Sequence, residues 1–324
     1  MTRLWDLLPL LKAMIKGLGT ALITPFDKNG KVDYEALARL LDTQLTGFVD
    51  YLVVLGTTGE AATLTPEEKK EVRTFIVHYV HTHPVPSLVG RSGGGIPLVL
   101  GVGGNNTAAV CTELATMRDE LSENYAAILS VCPYYNKPNQ EGLFQHFCKV
   151  AEASPIPVIL YNVPGRTGVN LLPETVMRIY EAHPDKIIGI KEASGNVEQI
   201  KSLIGLSGEI IVPPAGKEAG LLVISGDDGI ACEVMQAGGA GLISVASNAF
   251  PEDFWHIVHA QDSTLQAKYE EMVKLLFAEG NAVGIKAVLT PKGIIQNYLR
   301  LPLVPASEEL KERIKGLEVR RLEG

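Results

Sequence analysis

Ile187-Ile-Gly-Ile-Lys191 is an apolar run that stops on a lysine, and the run before it, Pro157-Val-Ile-Leu-Tyr-Asn162, stops on a tyrosine and an asparagine. Neither alternates apolar with polar residues. A strand with one wet face would alternate, so these runs read as strands covered on both faces, as in a parallel sheet wrapped by helices. Runs of the same kind recur at 19–25 (GTALITP), 51–56 (YLVVLG), 97–102 (PLVLGV), 126–132 (AAILSVC), 221–225 (LLVIS) and 241–245 (GLISV). Helical signals fill the gaps: Asp33 ahead of Tyr-Glu-Ala-Leu-Ala-Arg-Leu-Leu, Thr65 ahead of Pro66-Glu-Glu-Lys, and Leu172 ahead of Pro173-Glu-Thr-Val-Met. Strand followed by helix, repeated about eight times, predicts an α/β fold of the (β/α)8 TIM-barrel type, with a doubly wound sheet as the alternative.

A ninth run, 209–213 (EIIVP), ends in Pro213-Pro214 just before the better run at 221–225, and is assigned outside the barrel wall. Beyond Pro251 the strand-like runs stop. Residues 264–278 (TLQAKYEEMVKLLFA) space their apolar side chains as a helix does. The expected organisation is therefore a barrel over 14–250 and a small C-terminal helical domain over 251–324. Residues 1–13 carry an apolar stretch broken by Asp6, Pro9 and Lys12, too short to span a bilayer and weak as a signal peptide. They read as an N-terminal extension or as the product of a mis-set start codon, with no assigned function.

The chain has 324 residues, 46% apolar and 20% charged, with 32 glycines and 19 prolines, a profile that suits a globular α/β enzyme with a sizeable core. Lys and Arg total 29 against 37 Asp and Glu, for a net charge of −8, and no dense basic cluster is present to track phosphates. That balance argues against a nucleic-acid partner, and no stretch suggests a membrane one. Cys111, Cys132, Cys148 and Cys232 form no C-x-x-C pair, so they read as buried reduced thiols of a cytoplasmic protein. His256 and His259 read as part of a half-buried helix face and His81 and His83 as part of a Pro-rich connection, and neither pair is read as metal ligands.

In barrels of this type the active site forms at the C-terminal ends of the strands, so polar residues that end apolar runs are the candidates. Four run ends qualify: Gly56-Thr57-Thr58-Gly59-Glu60, Pro133-Tyr134-Tyr135-Asn136, Tyr161-Asn162-Val163-Pro164-Gly165-Arg166, and Lys191-Glu192. The glycines of the first let backbone approach a ligand while hydroxyls and turn N–H groups hold a carboxylate. Lys191 follows four apolar residues that carry it into the barrel interior. Burial disfavours the ammonium and lowers a lysine pKa from its reference of about 10.4, freeing an amine that attacks a ketone. A lysine paired with an internal carboxylate is the competing reading, and position alone does not separate the two. Tyr161, on the neighbouring strand end, is within plausible reach to move protons for that amine, with Thr57 as relay.

Taken together, Gly56-Thr-Thr-Gly-Glu60, Pro133-Tyr-Tyr-Asn-Lys-Pro138, Tyr161-Asn-Val-Pro-Gly-Arg-Thr-Gly168, Ile190-Lys-Glu-Ala-Ser-Gly195 and Ser225-Gly-Asp-Asp228 resemble, in order and spacing, the motifs of the dihydrodipicolinate synthase family. The resemblance covers about Met14 to Pro302. It implies a barrel with C-terminal helices, assembled as a homotetramer of tight dimers. It further implies a Schiff base between Lys191 and pyruvate, and a proton relay of Tyr161, Thr57 and Tyr135, with Tyr135 lent by the partner subunit. Thr58 with Thr57 would hold the pyruvate carboxylate, and Gly226 and Ile243 would line the pocket.

Arg166, at its mouth, matches the carboxylate of aspartate 4-semialdehyde. Related lyases acting on N-acetylneuraminate, which share the lysine and tyrosine but generally lack an arginine here, are the alternative, together with 2-keto-3-deoxy sugar acid aldolases and dehydratases, which make other choices around these positions. A barrel that only binds is a more distant one. The implied reaction needs no metal or organic cofactor.

Two stretches, 84–96 and 206–220, are longer than the family's usual connections and read as loops. Some members are inhibited by lysine at the dimer interface, through a carboxylate on the helix after the third strand and a His or Glu after the Gly-Thr-Thr-Gly-Glu stretch. The matching positions here are Ala109 and Lys69, although Asn105 and Tyr134 are kept. An added cation and a lost carboxylate disfavour a lysine ammonium, so weak or absent inhibition is expected in an activity assay.

Overall fold

The computed structural model describes residues 4–46, 48–83, 95–208 and 220–323. Eight strands close into a barrel in chain order: β1 Gly17–Ala21, β2 Tyr51–Val54, β3 Leu98–Gly101, β4 Ala127–Val131, β5 Val158–Asn162, β6 Ile187–Glu192, β7 Leu222–Ser225 and β8 Gly241–Ser244. The (β/α)8 expectation holds, and each strand but the first falls within or one residue beyond the run that predicted it. Helices alternate with them: α1 Leu4–Met14, α2 Tyr34–Gln44, α3 Pro66–Thr82, α4 Thr107–Thr116, α5 Arg118–Asn124, α6 Gln140–Ala153, α7 Pro164–Thr167, α8 Pro173–Ala182, α9 Val197–Gly208 and α10 Ala231–Gln236. After β8 come α11 Pro251–His259, α12 Ser263–Ala278, α13 Asn281–Leu289 and α14 Glu308–Glu323. Among the described residues no helix is long and apolar enough to cross a membrane.

By contact the chain forms two compact units, residues 1–19 with 97–243, and residues 20–96 with 244–324. In the first unit, β3 to β8 pair in parallel, and Ile128, Val158, Ile159, Leu160, Ile188 and Ile190 are fully buried, as apolar-throughout strands require. The N-terminal helix α1 is tied in here as well. Lys12, one of the charges that break its apolar stretch, is buried and donates to the Gly220 carbonyl at 2.6 Å. Leu206–Gly208, read as the start of a loop, instead completes α9. The Ser207 hydroxyl explains this, donating to the Leu221 carbonyl at 2.7 Å and accepting from Leu221 N at 2.9 Å. The rest of that reading, with the run 209–213, and residues 84–94 of the other loop lie outside the described residues.

The second unit contains β2, α2, α3 and everything after β8. Asp33 caps α2 by accepting from Ala36 N, and Thr65 with Glu68 forms a full capping box on α3, as their sequence positions anticipated. Its β1 end departs from expectation, because the strand stops at Ala21 and not at 25. Leu22 N still bonds the Val53 carbonyl, but Ile23 N is taken by the side chain of Asn248 and Pro25 has no N–H, so the ladder cannot continue. Within this unit α11 packs on α12, α12 on α13 and α14, and α13 on the turn that follows β2.

Candidate active site

Lys191 and Tyr161 are cross-strand partners in the β5–β6 register, so their side chains leave the sheet on the same face. The amine lies over the tyrosine ring, 4.5 Å from its centroid, and the two residues are 6% and 7% exposed. Among the described residues no carboxylate forms an ion pair with Lys191 Nζ. The reading in which Lys191 is a structural ion-pair member therefore finds no support. The adjacent carboxylate points to the opposite face and is fully engaged there.

That carboxylate, Glu192, is fully buried. It accepts from Asn162 Nδ2 at 2.9 Å, Gln199 Nε2 at 3.0 Å and Ser194 N at 2.8 Å. Asn162 in turn accepts from Leu171 N at 2.9 Å, and Asn170 bonds both Asn162 and Gln199. A buried carboxylate without a cation must be satisfied by neutral donors, and here those donors come from β5, α9 and the backbone beyond β6. The network thus clamps together the strand ends that carry Tyr161 and Lys191. Asn162 and Glu192 stand at the ends of apolar runs, but their local sequence gives them no role. Their signal was strand alternation, which turns the residue after an inward lysine toward the helices.

Gly226 lies against the lysine. A Cβ built there would sit 2.9 Å from Lys191 Cε and 2.6 Å from Ala193 Cβ, so glycine is what lets the side chain pass. Lys191 pairs with Ile224, which pairs with Gly241; Ile243, two residues on and fully buried, therefore shares the face of Lys191. Arg166 is exposed on the short α7, directly after β5. Tyr135 is 88% exposed, with φ +74°, beside Tyr134 at 43%. The left-handed backbone there is held in part by Asn136 Nδ2, which donates to the Asn105 carbonyl at 3.0 Å.

The second unit holds the remaining candidates. Thr57–Gly59 forms a single 3-10 turn after β2, with Thr57 exposed and Thr58 buried, and Glu60 closes it in the left-handed region at φ +50°. Thr24 Oγ1 donates to the Gly59 carbonyl at 2.7 Å, and a Cβ on Gly59 would meet the Leu22 carbonyl at 3.0 Å. Two residues of α13 hold the turn, and sequence reading missed both. Asn281 Nδ2 donates to Thr58 Oγ1 at 3.0 Å, and Lys286 Nζ lies 2.5 Å from Glu60 Oε1. Lys286 also donates to the Tyr298 carbonyl at 3.0 Å, and burial pulls its ammonium down to about 8 against the opposing pull of Glu60. Glu60 Oε2 accepts from Arg300 N at 3.2 Å.

The cysteines are all free, but only Cys132 and Cys232 are buried, while Cys111 and Cys148 are half-buried, a partial correction to the expectation that all were inside. Burial, helped by the Glu192 charge, pushes the Cys132 thiol far up. His259 has a carboxylate companion that its sequence neighbourhood did not show: its Nε2 lies 2.6 Å from Asp50 Oδ2.

A family model described as the dihydrodipicolinate synthetase family matches residues 14–317. This chain belongs to that family. Within the dihydrodipicolinate synthetase family, similar relatives bear the name 4-hydroxy-tetrahydrodipicolinate synthase. The one from Parabacteroides distasonis is 45% identical over 317 residues, covering 94% of this chain and 98% of its own. That from Flavobacterium psychrophilum is 45% identical over 305 residues, 92% of this chain and 95% of its own. Among solved structures, the chloride-inhibited dihydrodipicolinate synthase of Acinetobacter baumannii, complexed with pyruvate, superposes with a TM-score of 0.81 at 37% identity, over 94% of this chain and 97% of that one.

Proposed function

We propose that this chain is a Schiff-base lyase, condensing pyruvate with L-aspartate 4-semialdehyde to give 4-hydroxy-tetrahydrodipicolinate, in lysine and diaminopimelate biosynthesis. The observation that carries the reading is the Lys191 amine, buried at a strand end against Tyr161 with no ion-pair partner among the described residues, in a member of this family. Lys191 attacks the keto carbon of pyruvate, water leaves, and an iminium forms. Loss of a proton from the methyl carbon gives an enamine, whose carbon attacks the aldehyde. The amine of the semialdehyde then adds to the iminium carbon, closing the ring and expelling Lys191.

In this scheme Tyr161, Thr57 and Tyr135 of the partner subunit form the proton relay, which makes the high exposure of Tyr135 in the single chain intelligible. Thr58 and Thr57 bind the pyruvate carboxylate, and Gly226 and Ile243 line its pocket. Arg166 takes the carboxylate of the aldehyde substrate through its guanidinium fork. Assembly as a dimer of dimers, and a cytoplasmic location, belong to the same proposal. Borohydride trapping with pyruvate tests it, with the adduct mapped by peptide mass spectrometry and turnover measured on aspartate semialdehyde and N-acetylmannosamine. An adduct on Lys191 with turnover of the semialdehyde is expected; preference for the sugar would assign the chain to the 2-keto acid sugar lyases, and no adduct would sink the mechanism.

A further inference from the structure

The turn after β2 is held from behind by a helix that sequence reading left without a role. Asn281, at the start of α13, is 7% exposed and donates its amide to Thr58 Oγ1 at 3.0 Å, with Thr58 itself 3% exposed. A hydroxyl has one proton and two lone pairs. With a lone pair occupied by the amide N–H, the proton of Thr58 is left to donate in another direction. Among the described residues Thr58 Oγ1 makes no other hydrogen bond, so none of them takes up that proton.

Five residues along the same helix, Lys286 fixes the far end of the turn through its buried ion pair with Glu60. Glu60 N bonds back to the Thr57 carbonyl at 3.1 Å, so holding the Glu60 side chain also holds the turn that presents the threonines. The left-handed backbone at Glu60 is unfavourable for a non-glycine residue and needs such support. The hydroxyl is thus fixed in place by Lys286 and in direction by Asn281.

We infer that Asn281 is a positioning residue, which sets the Thr58 hydroxyl as a hydrogen-bond donor to the carboxylate of the 2-keto acid and so gives the site its preference for a charged ketone. The inference rests on the reading proposed above, in which Thr58 binds that carboxylate. It assigns to α13, far from Lys191 in sequence, a part in substrate selection. An acceptor-only side chain at position 281 would reverse the bond, drawing the Thr58 proton away from the substrate and adding a negative charge behind it.

The test is Asn281→Asp, with borohydride trapping rates at Lys191 measured for pyruvate and for its neutral methyl ester. A lost hydrogen bond to a charged group predicts that pyruvate slows by roughly 10- to 100-fold while methyl pyruvate stays within about threefold. Thr58→Val provides an independent arm. It must lose the same preference for the charged ketone, and adding Asn281→Asp to it must change the ratio by less than the same substitution does in the wild type, where the bond to Thr58 is present. Melting temperatures report whether each variant is folded. Equal slowing of both ketones, or an Asn281→Asp protein that keeps the wild-type ratio, overturns the proposal; the second result would mean that the amide oxygen, not its nitrogen, faces Thr58. A wild-type protein that traps neither ketone defeats the parent reading instead, and is told apart by that control.

Discussion

Lys191 and Lys286 are two buried lysines in almost the same kind of surroundings. Each amine lies over an aromatic ring, Lys191 at 4.5 Å from the centroid of Tyr161 and Lys286 at 4.3 Å from that of Phe26. Each sits on an element otherwise dominated by apolar residues. They differ in what else faces the nitrogen. Lys286 has the Glu60 carboxylate at 2.5 Å and the Tyr298 carbonyl at 3.0 Å, which take two of its three donor directions. Among the described residues Lys191 has neither, because the carboxylate next to it in sequence has been turned outward and satisfied by Asn162, Gln199 and Ser194. Burial and an aromatic lid are therefore common to both; the withheld counter-ion is what separates Lys191, the proposed nucleophile, from Lys286.

The largest expected effect separates the two by chemistry. Lys191→Met should abolish the pyruvate adduct and lower turnover at least ~10³-fold, equivalent to about 4 kcal/mol of barrier. Stability should be unchanged or higher, because the substitution removes a buried amine that has no ion-pair partner among the described residues. A Lys191→Met protein that still forms the adduct would move the nucleophile elsewhere and erase the contrast. Lys286→Met should do the reverse. It strands the Glu60 carboxylate in the interior, at a cost of about 3–5 kcal/mol in urea unfolding, while the adduct on Lys191 still forms. Glu60→Gln added to Lys286→Met should recover much of that stability, since a neutral pair carries far less desolvation cost. If Lys286→Met left stability untouched, the buried pair would not be the structural counterpart claimed for it.

How much of this was legible depended on where the informative contacts lie along the chain. Strands β5 and β6 were legible because residues buried on both faces leave an unbroken apolar run, and Lys191 because it interrupts one. The first strand was misplaced by a few residues because its end is set by Asn248, a side chain more than two hundred residues away. Glu192 follows Lys191 directly, yet its meaning required knowing which face of α9 carries Gln199. Lys286 looked unremarkable in Asn281-Ala-Val-Gly-Ile-Lys-Ala-Val-Leu289, where a single lysine normally marks the wet side of a helix. Its partner is 226 residues away, and no local pattern encodes a pairing at that distance. Features set by strand periodicity were readable, whereas features set by long-range side-chain closure were not.

The smallest expected effect sharpens the comparison on the Lys286 side. Phe26 carries a second cation, Arg300, whose guanidinium carbon lies 4.4 Å from the ring centroid and whose Nη2 reaches Glu68 Oε1 at 2.5 Å, with Nη1 on the other oxygen at 2.7 Å. This bidentate hydrogen bonding, opposed by partial burial, holds the Glu68 carboxyl at about 2, below its ordinary value of 4.5. A carboxyl whose pKa is depressed in the folded state stabilises that state above its unfolded value, and the contribution fades as pH falls toward the folded one. Glu68 should therefore add full stability above about pH 4.5 and lose it progressively toward pH 2, on the order of 1–3 kcal/mol after allowance for solvent screening at a partly exposed pair. Urea midpoints of the wild type and Glu68→Gln should differ at pH 7 and converge as the pH is lowered through that window. A constant difference across the window would show that Glu68 acts through packing or capping of α3 alone, and the ionic frame that distinguishes Lys286 from Lys191 would then end at Glu60.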